Sequence, residues 1–195
     1  EMQPSDITAS CFEGATLVHV EGYLLFNEEL IRATLAAAHQ AGALVSLDMA
    51  SYTVVESARG VLRELLPAYV DIILANEDEA RAYTGESDEE KALEKLASES
   101  TVAVVKLGKR GSMISHDGQT MRLGIRGDGS AVDTTGAGDL WASGFLYGIV
   151  HGYTLEQAAN LAAACGYEVC RVVGAQIPDE GWRRIHGEFP SAHGS

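Results

Sequence analysis

The chain has 195 residues, of which 46% are apolar and 22% are charged, and its formal net charge is −14. This length and apolar content predict a folded chain with a substantial core, most simply as one domain. The acidic balance disfavours nucleic-acid and anionic-membrane partners, which favour a basic face, and no apolar run approaches the ~20 residues of a membrane helix. The acidic balance is compatible with a nucleotide ligand, because a nucleotide site needs only local positive potential and a metal ion.

The cysteines favour a reducing compartment. Cys11, Cys165 and Cys170 are odd in number and have no spacing typical of metal ligands. Because there is also no signal-peptide pattern, we expect buried free thiols in a cytoplasmic protein.

Strands and helices alternate along the first half of the chain, after a turn-rich start. Four short apolar or β-rich runs predict strands, at 16–20, 43–48, 70–74 and 101–105. Three amphipathic segments predict helices, at 28–41, 54–66 and 88–98. Asn27 is placed to cap the first helix, Gly42 to end it, and Pro67 to end the second. This alternation predicts right-handed βαβ units and a mostly parallel sheet.

The second half begins with a predicted hairpin and continues as helices. Residues 112–123 predict two strands around an Asp117-Gly118 turn. One helix is predicted to start near Gly136, and Thr154 is placed to cap another that runs to about residue 172.

The most informative stretch is Asp-Thr-Thr-Gly-Ala-Gly-Asp at 133–139, which leads directly into an apolar helical pattern. Gly136, Ala137 and Gly138 would lie in the first helical turn, where N–H groups lack intrahelical partners and the helix dipole favours an anion. Asp139 would repel that anion, and its presence is explained if it accepts the proton of a hydroxyl group that attacks a phosphoryl group. The alternative is that Asp139 caps the helix and the glycines only form a turn. No Gly-Lys-Ser/Thr follows, so the stretch is not a Walker A loop.

A second candidate site follows the third predicted strand. Asn76 is a good N-cap, and the acids at 77–79 suit the positive end of a helix dipole, which would explain them completely. In the functional alternative, Asn76 and Glu79 project into a crevice and help to order a hydrated Mg²⁺. That ion keeps several waters and needs few protein ligands.

The stretch 133–146 resembles the C-terminal signature of the ribokinase/PfkB family of carbohydrate and nucleoside kinases. In that family the final Asp is the catalytic base and Gly-Ala-Gly forms the anion hole, so the resemblance assigns these roles to Asp139 and to Gly136, Ala137 and Gly138. The family also carries Asn-x-x-Glu at the relative place of Asn76. Further runs are similar to the adenosine-kinase-like branch, at 19–23, 46–48, 76–80 and 144–148.

The resemblance also implies contacts with ATP and with metal ions. Nucleotide contacts are implied at Asn76, Lys106, Leu107, Gly108, Gly111 and Gly138. For the basic turn after the fourth strand, a plain surface turn is the alternative. Asn76 and Glu79 are implied at Mg²⁺, and the carbonyls of Asp133 and Thr135 at a monovalent cation such as K⁺, as in some relatives.

The implied fold is a three-layer, Rossmann-like ribokinase fold with a mostly parallel sheet. Residues 1–195 would be its C-terminal, nucleotide-binding part, with loose ends at 1–15 and 189–195, because the N-terminal strands and lid of family members are not recognised here. The implied reaction is ATP-dependent phosphotransfer to a hydroxymethyl group of a sugar or nucleoside. The alternatives are a nucleotide-binding module without kinase activity of its own and a sensing protein that has lost turnover. A homodimer or a complementing N-terminal segment is the expected partner.

Overall fold

In the computed structural model, which describes residues 2–190, strands and helices alternate along the first half of the chain. The chain divides into two units. The first runs up to Gly108 and includes Ser112–Arg122, and the second comprises Lys109–Gly111 and the residues from Leu123 onward. Of the loose end predicted at 189–195, residues 191–195 lie outside the described residues.

The sheet has six strands in chain order. They are β1 Leu17–Glu21, β2 Leu44–Asp48, β3 Ile72–Asn76, β4 Val102–Lys106, β5 Ser112–His116 and β6 Gln119–Leu123. The strands β1 to β4 pair in parallel, and β5 pairs with β4 antiparallel. The predicted α/β fold with a mostly parallel sheet is therefore confirmed.

Four helices belong to the first unit and three to the second. They are α1 Glu28–Gln40, α2 Tyr52–Tyr69, α3 Glu77–Thr84 and α4 Glu89–Ala97, followed by α5 Ala137–Val150, α6 Leu155–Cys170 and α7 Asp179–Glu188. Short 3₁₀ helices form at Pro4–Asp6, Ala9–Phe12, Gly22–Phe26 and Gly108–Arg110. None of the helices within residues 2–190 is long and apolar enough to cross a membrane.

Local signals explain most helix boundaries. The Asn27 side chain accepts a hydrogen bond from the Leu30 N–H at 3.1 Å, and Gly42 adopts φ +78° just after α1, as the sequence predicts. The prediction that Pro67 ends α2 is wrong, because the helix continues to Tyr69. Proline removes one helical N–H and crowds the carbonyl four residues earlier. Near the end of a long helix this disturbs a single turn, and the Val70 N–H still donates to the Leu66 carbonyl at 3.0 Å.

The central strands are buried on both faces, as parallel strands between layers should be. Eight apolar residues of β2, β3 and β4 have no exposed area, and they are Val45, Leu47, Ile73, Leu74, Ala75, Ala103, Val104 and Val105. The expectation of three buried thiols holds for Cys165 but is wrong for Cys11, which is exposed, while Cys170 is half-buried.

In the second unit, α5 and α6 approach closely through small residues. A Cβ atom added to Gly148 would lie 2.7 Å from the Cβ of Ala158, and one added to Gly144 would lie 3.0 Å from the Cα of Ala162. Only hydrogen at these two positions permits the observed spacing of α5 and α6.

Candidate active site

All four parallel strands end on a polar side chain. These terminal residues are Glu21, Asp48, Asn76 and Lys106. The register pairs Glu21 with Asp48 and Asn76 with Lys106, so the four residues share one edge of the sheet. Ligands of open α/β sheets bind outside this carboxyl edge. The first unit therefore presents four polar residues at the edge where a ligand is expected.

Asn76 and Glu79 form a reciprocal cap at the start of α3. The Asn76 Oδ1 atom accepts hydrogen bonds from the N–H groups of Asp78 and Glu79, both at 2.9 Å. The Glu79 carboxylate accepts from the Asn76 backbone N–H at 2.7 Å and from its Nδ2 at 2.6 Å. The predicted capping role of Asn76 is therefore present in the structure, and any contact of this pair with a metal ion would be additional to it.

Burial changes the ionisation of the Glu79 carboxyl. Its side chain belongs to a residue only 2% exposed, and burial, reinforced by the charge of Asp48, raises the pKa of the Glu79 carboxyl. Within residues 2–190, no group of three or more His, Cys, Asp and Glu side chains could hold a metal ion. A role of Asn76 and Glu79 in ordering a hydrated Mg²⁺, which needs few protein ligands, therefore stays a prediction.

Lys106 and the turn that follows it differ in what they offer a ligand. The Lys106 ammonium lies 2.6 Å from the Asp48 carboxylate, and both side chains are largely buried. Leu107 is buried, so only its backbone is available. Gly108 and Gly111 both have positive φ, and a Cβ on Gly111 would lie 1.9 Å from the Leu123 carbonyl oxygen. The turn therefore requires glycine at Gly111 on steric grounds alone.

The turn before α5 leaves backbone donors unpaired. Gly136 is the N-cap residue with φ +75°, and a Cβ there would lie 2.7 Å from the Cβ of Ala175. The Ala137 N–H donates to the Thr134 carbonyl at 3.1 Å, so it helps to close the turn. The N–H groups of Gly136 and Gly138 have no acceptor within residues 2–190. Two of the three predicted anion-hole amides are therefore unpaired.

Asp139 lies in the first turn of α5 but does not cap it. Gly136 is the N-cap residue, and α5 has no side-chain cap hydrogen bond. The alternative that Asp139 caps the helix is therefore wrong. The Asp139 residue is exposed, and no hydrogen bond or ion pair of its carboxylate occurs within residues 2–190. A carboxylate without partners beside unpaired N–H groups is the arrangement that proton abstraction next to an anion requires.

A second turn holds the first one in place. The Asp133 carboxylate accepts hydrogen bonds from the Gly174 N–H at 2.9 Å and from the N–H and hydroxyl of Thr135 at 3.0 and 2.8 Å. These bonds, that from Gly174 first, lower the pKa of the Asp133 carboxyl to about 2. The carbonyl oxygens of Asp133 and Thr135 accept no hydrogen bond within the described part of the chain, so they fit a cation that prefers oxygen ligands.

The comparison with known families decides the class. The profile of the pfkB family carbohydrate kinases matches residues 1–181. The chain belongs to the PfkB family. The resemblance of the 133–146 stretch is thereby confirmed, and so is the ribokinase-like fold.

PfkB-family relatives include kinases of several substrates. The chain is 39% identical over 117 residues to the ATP-dependent 6-phosphofructokinase of Thermoanaerobacterium thermosaccharolyticum. This alignment covers 58% of the chain and 36% of that protein. It is 31% identical over 175 residues to the 5-dehydro-2-deoxygluconokinase of Shouchella clausii, in an alignment that covers 84% of the chain and 53% of that protein. The structure is similar to that of adenosine kinase from Sinorhizobium meliloti, with a TM-score of 0.88 and 30% identity over 96% of this chain and 59% of that one. The chain thus spans between about a third and three fifths of the length of these relatives.

Three residues that contact predicted site residues were not themselves predicted from the sequence. Gly174 and Ala175 contact the turn before α5, yet their own stretch gives no signal beyond that of a turn. Asp48 ends the second predicted strand but was not predicted as a site residue. Its pairing with Lys106 joins residues 58 positions apart, and local patterns carry no information about such a contact.

Proposed function

We propose that this PfkB-family chain is the nucleotide-binding part of a kinase that transfers a phosphoryl group from ATP to a hydroxymethyl group of a sugar or nucleoside. The observation that carries the proposal is the Asp139 carboxylate, which has no partner within residues 2–190 and directly follows the unpaired N–H of Gly138. A helix N-terminus of this kind binds anions, and a carboxylate that stands beside the anion site without a partner can accept the proton of the attacking hydroxyl group.

The proposed reaction is an in-line displacement at the γ-phosphorus. Asp139 accepts the proton of the attacking hydroxyl group, an oxygen–phosphorus bond forms to the acceptor, and the bond to the ADP oxygen breaks. The N–H groups of Gly136 and Gly138 donate to the phosphoryl oxygens as charge redistributes in the transition state. Ala137 holds the shape of the turn through its bond to Thr134.

The remaining predicted residues would bind the nucleotide and its ions. Asn76 and Glu79 would order the water shell of Mg²⁺, which when bound supplies positive charge to the phosphates. The carbonyls of Asp133 and Thr135 would hold a monovalent cation such as K⁺. The proposed nucleotide contacts are those of Asn76, Lys106, Gly108, Gly111 and Gly138 and the backbone of Leu107.

The proposal includes a partner for the edge of the sheet. The strand β1 stands at one end of the strand order, and its side chains are mostly accessible. Edge strands pair readily with further strands. We therefore propose that an N-terminal segment or a second copy of the chain covers β1 in a cytoplasmic enzyme.

The alternative function is a nucleotide-binding module that has no kinase activity of its own. It is favoured by one finding, that the chain covers only 36% to 59% of the relatives compared. An ADP-release assay with ATP, Mg²⁺ and a panel of adenosine, ribose and fructose separates the two functions. Acceptor-dependent ADP release supports the kinase. ATP binding without release on any acceptor supports the module, and the absence of ATP binding contradicts both.

A further inference from the structure

We infer that Asp48 is a positioning residue, whose carboxylate holds the Lys106 ammonium at the carboxyl edge of the sheet so that the ammonium recognises the polyphosphate of the nucleotide. This inference rests on the proposed function, because it presumes that the chain binds ATP. It adds a residue that the sequence did not assign to the site, and it states which part of the nucleotide Lys106 contacts.

The ion pair spans three strands of the sheet. Asp48 ends β2 and Lys106 ends β4, and β3 lies between these two strands. Because the Lys106 Nζ atom lies 2.6 Å from the Asp48 Oδ2 atom, the lysine side chain must cross the end of β3. There β3 ends in Asn76, which starts the capped helix α3. The pair thus fixes a positive charge at the first turn of a helix in the ligand-binding edge.

Asp48 is itself held rigidly. Its Oδ1 atom accepts a hydrogen bond from the Ala50 N–H at 3.0 Å, and Ala50 has the unusual φ of +64°. A non-glycine residue in this region is strained, and it persists only where its surroundings fix the backbone. Here Gly22 contributes, because a Cβ at that position would lie 2.6 Å from the Asp48 carbonyl oxygen. One carboxylate oxygen therefore fixes the turn, and the other is directed at Lys106.

The ammonium keeps donors for a ligand. Lysine has three N–H donors, and Lys106 uses one for Asp48. The other two have no acceptor within residues 2–190, although the side chain is only 17% exposed. A purely structural clamp would leave this hydrogen-bonding capacity unused in a nearly buried group. Two adjacent phosphate oxygens would satisfy it.

A polyphosphate would approach this edge together with its cation, because two carboxylates lie near the single Lys106 ammonium. Asp48 and Glu79 are both buried carboxylates, and their charges interact with each other and with Lys106. Lysine acts on phosphate as a compact point charge, so its effect grows with the number of phosphate groups. Lys106 should therefore discriminate ATP and ADP from AMP.

The test is isothermal titration of the chain with ATP, ADP and AMP in the presence of Mg²⁺. A hydrogen bond to a charged group contributes roughly a factor of 10 to 100 in affinity. We expect Lys106→Met to weaken ATP and ADP binding by about 10- to 100-fold and AMP binding by less than about 3-fold. Asp48→Asn should show the same selectivity with a smaller loss, and it should add nothing to the Lys106→Met variant. Lys95→Met is the matched control, because Lys95 forms a surface pair with Glu86 at 2.6 Å.

Three outcomes overturn the inference. Equal losses for ATP and AMP would show that the pair is only a structural clamp, and unchanged binding by Asp48→Asn would remove the positioning role. If the unaltered chain binds ATP and the Lys106→Met variant binds it equally well, Lys106 does not contact the phosphates. Failure of the unaltered chain to bind any of the three nucleotides would instead contradict the proposed function. Should Asp48→Asn not fold, Asp48→Ser keeps an oxygen for the Ala50 N–H and removes the charge.

Discussion

Replacement of Gly136 by alanine tests how the anion-binding turn is held. The residue has φ +75°, a conformation that costs an alanine about 1–2 kcal/mol. The added Cβ would also lie 2.7 Å from the Cβ of Ala175 and 3.1 Å from its Cα. Overpacking against groups that cannot move away typically costs about 1–3 kcal/mol. We therefore expect Gly136→Ala to lower the free energy of unfolding by about 2–5 kcal/mol.

Gly152→Ala separates the two contributions. Gly152 has nearly the same φ, +74°, but nothing lies within 4 Å of a Cβ at that position. This variant should lose only the conformational part, about 1–2 kcal/mol. Both tryptophans of the chain, Trp141 and Trp182, belong to α5 and α7 of the second unit, so their fluorescence reports its unfolding in urea. A loss in Gly136→Ala no larger than that in Gly152→Ala would refute the conclusion that Ala175 constrains the turn.

Two further predictions concern the same unit. Gly148→Ala should destabilise it by about 1–3 kcal/mol in the same urea experiment despite the better helix propensity of alanine, because the new Cβ meets Ala158 at 2.7 Å. Gly187→Ala, which meets nothing within 4 Å, should be neutral or slightly stabilising, and the same result for both variants would contradict the packing argument. The low pKa of Asp133, about 2, means that its carboxylate stabilises the fold above the unfolded pKa of about 4 and that this contribution disappears as the pH falls through 2. Urea midpoints measured from pH 5 to 2 should therefore fall more steeply for the unaltered chain than for Asp133→Asn, and parallel curves would exclude this role.

The sequence predicted the architecture well because local signals agree with the fold. Asn27 and Gly42 act at helix ends through bonds and backbone angles that involve only neighbouring residues. The prediction at Pro67 was wrong because a proline disturbs only one turn of a helix, and the Leu66 carbonyl still accepts a hydrogen bond from the Val70 N–H, so α2 ends at Tyr69. The helix α7 was not predicted at all, although its acidic first turn and apolar Ile185 are typical of a short amphipathic helix.

The site was less predictable than the fold. The local pattern around Gly138 and Asp139 was enough to predict a helix N-terminus with an anion-binding turn. The pattern could not show that the Ala137 N–H donates a hydrogen bond to the Thr134 carbonyl, because this bond depends on the conformation of the turn. Contacts such as that of Asp133 with Gly174 connect distant segments, and no local spacing encodes them.

The most direct test of the account is phosphoryl transfer from ATP by protein that carries Asp139→Asn. Loss of a general base typically reduces turnover by about 10²- to 10⁴-fold, and we expect at least a 10²-fold fall in kcat with little change in ATP binding. Asp179→Asn is the matched control, because Asp179 is also a first-turn acid of a helix in the second unit and should be dispensable. Near-full turnover by Asp139→Asn, or an equal loss in Asp179→Asn, would contradict the assignment of Asp139 as the base.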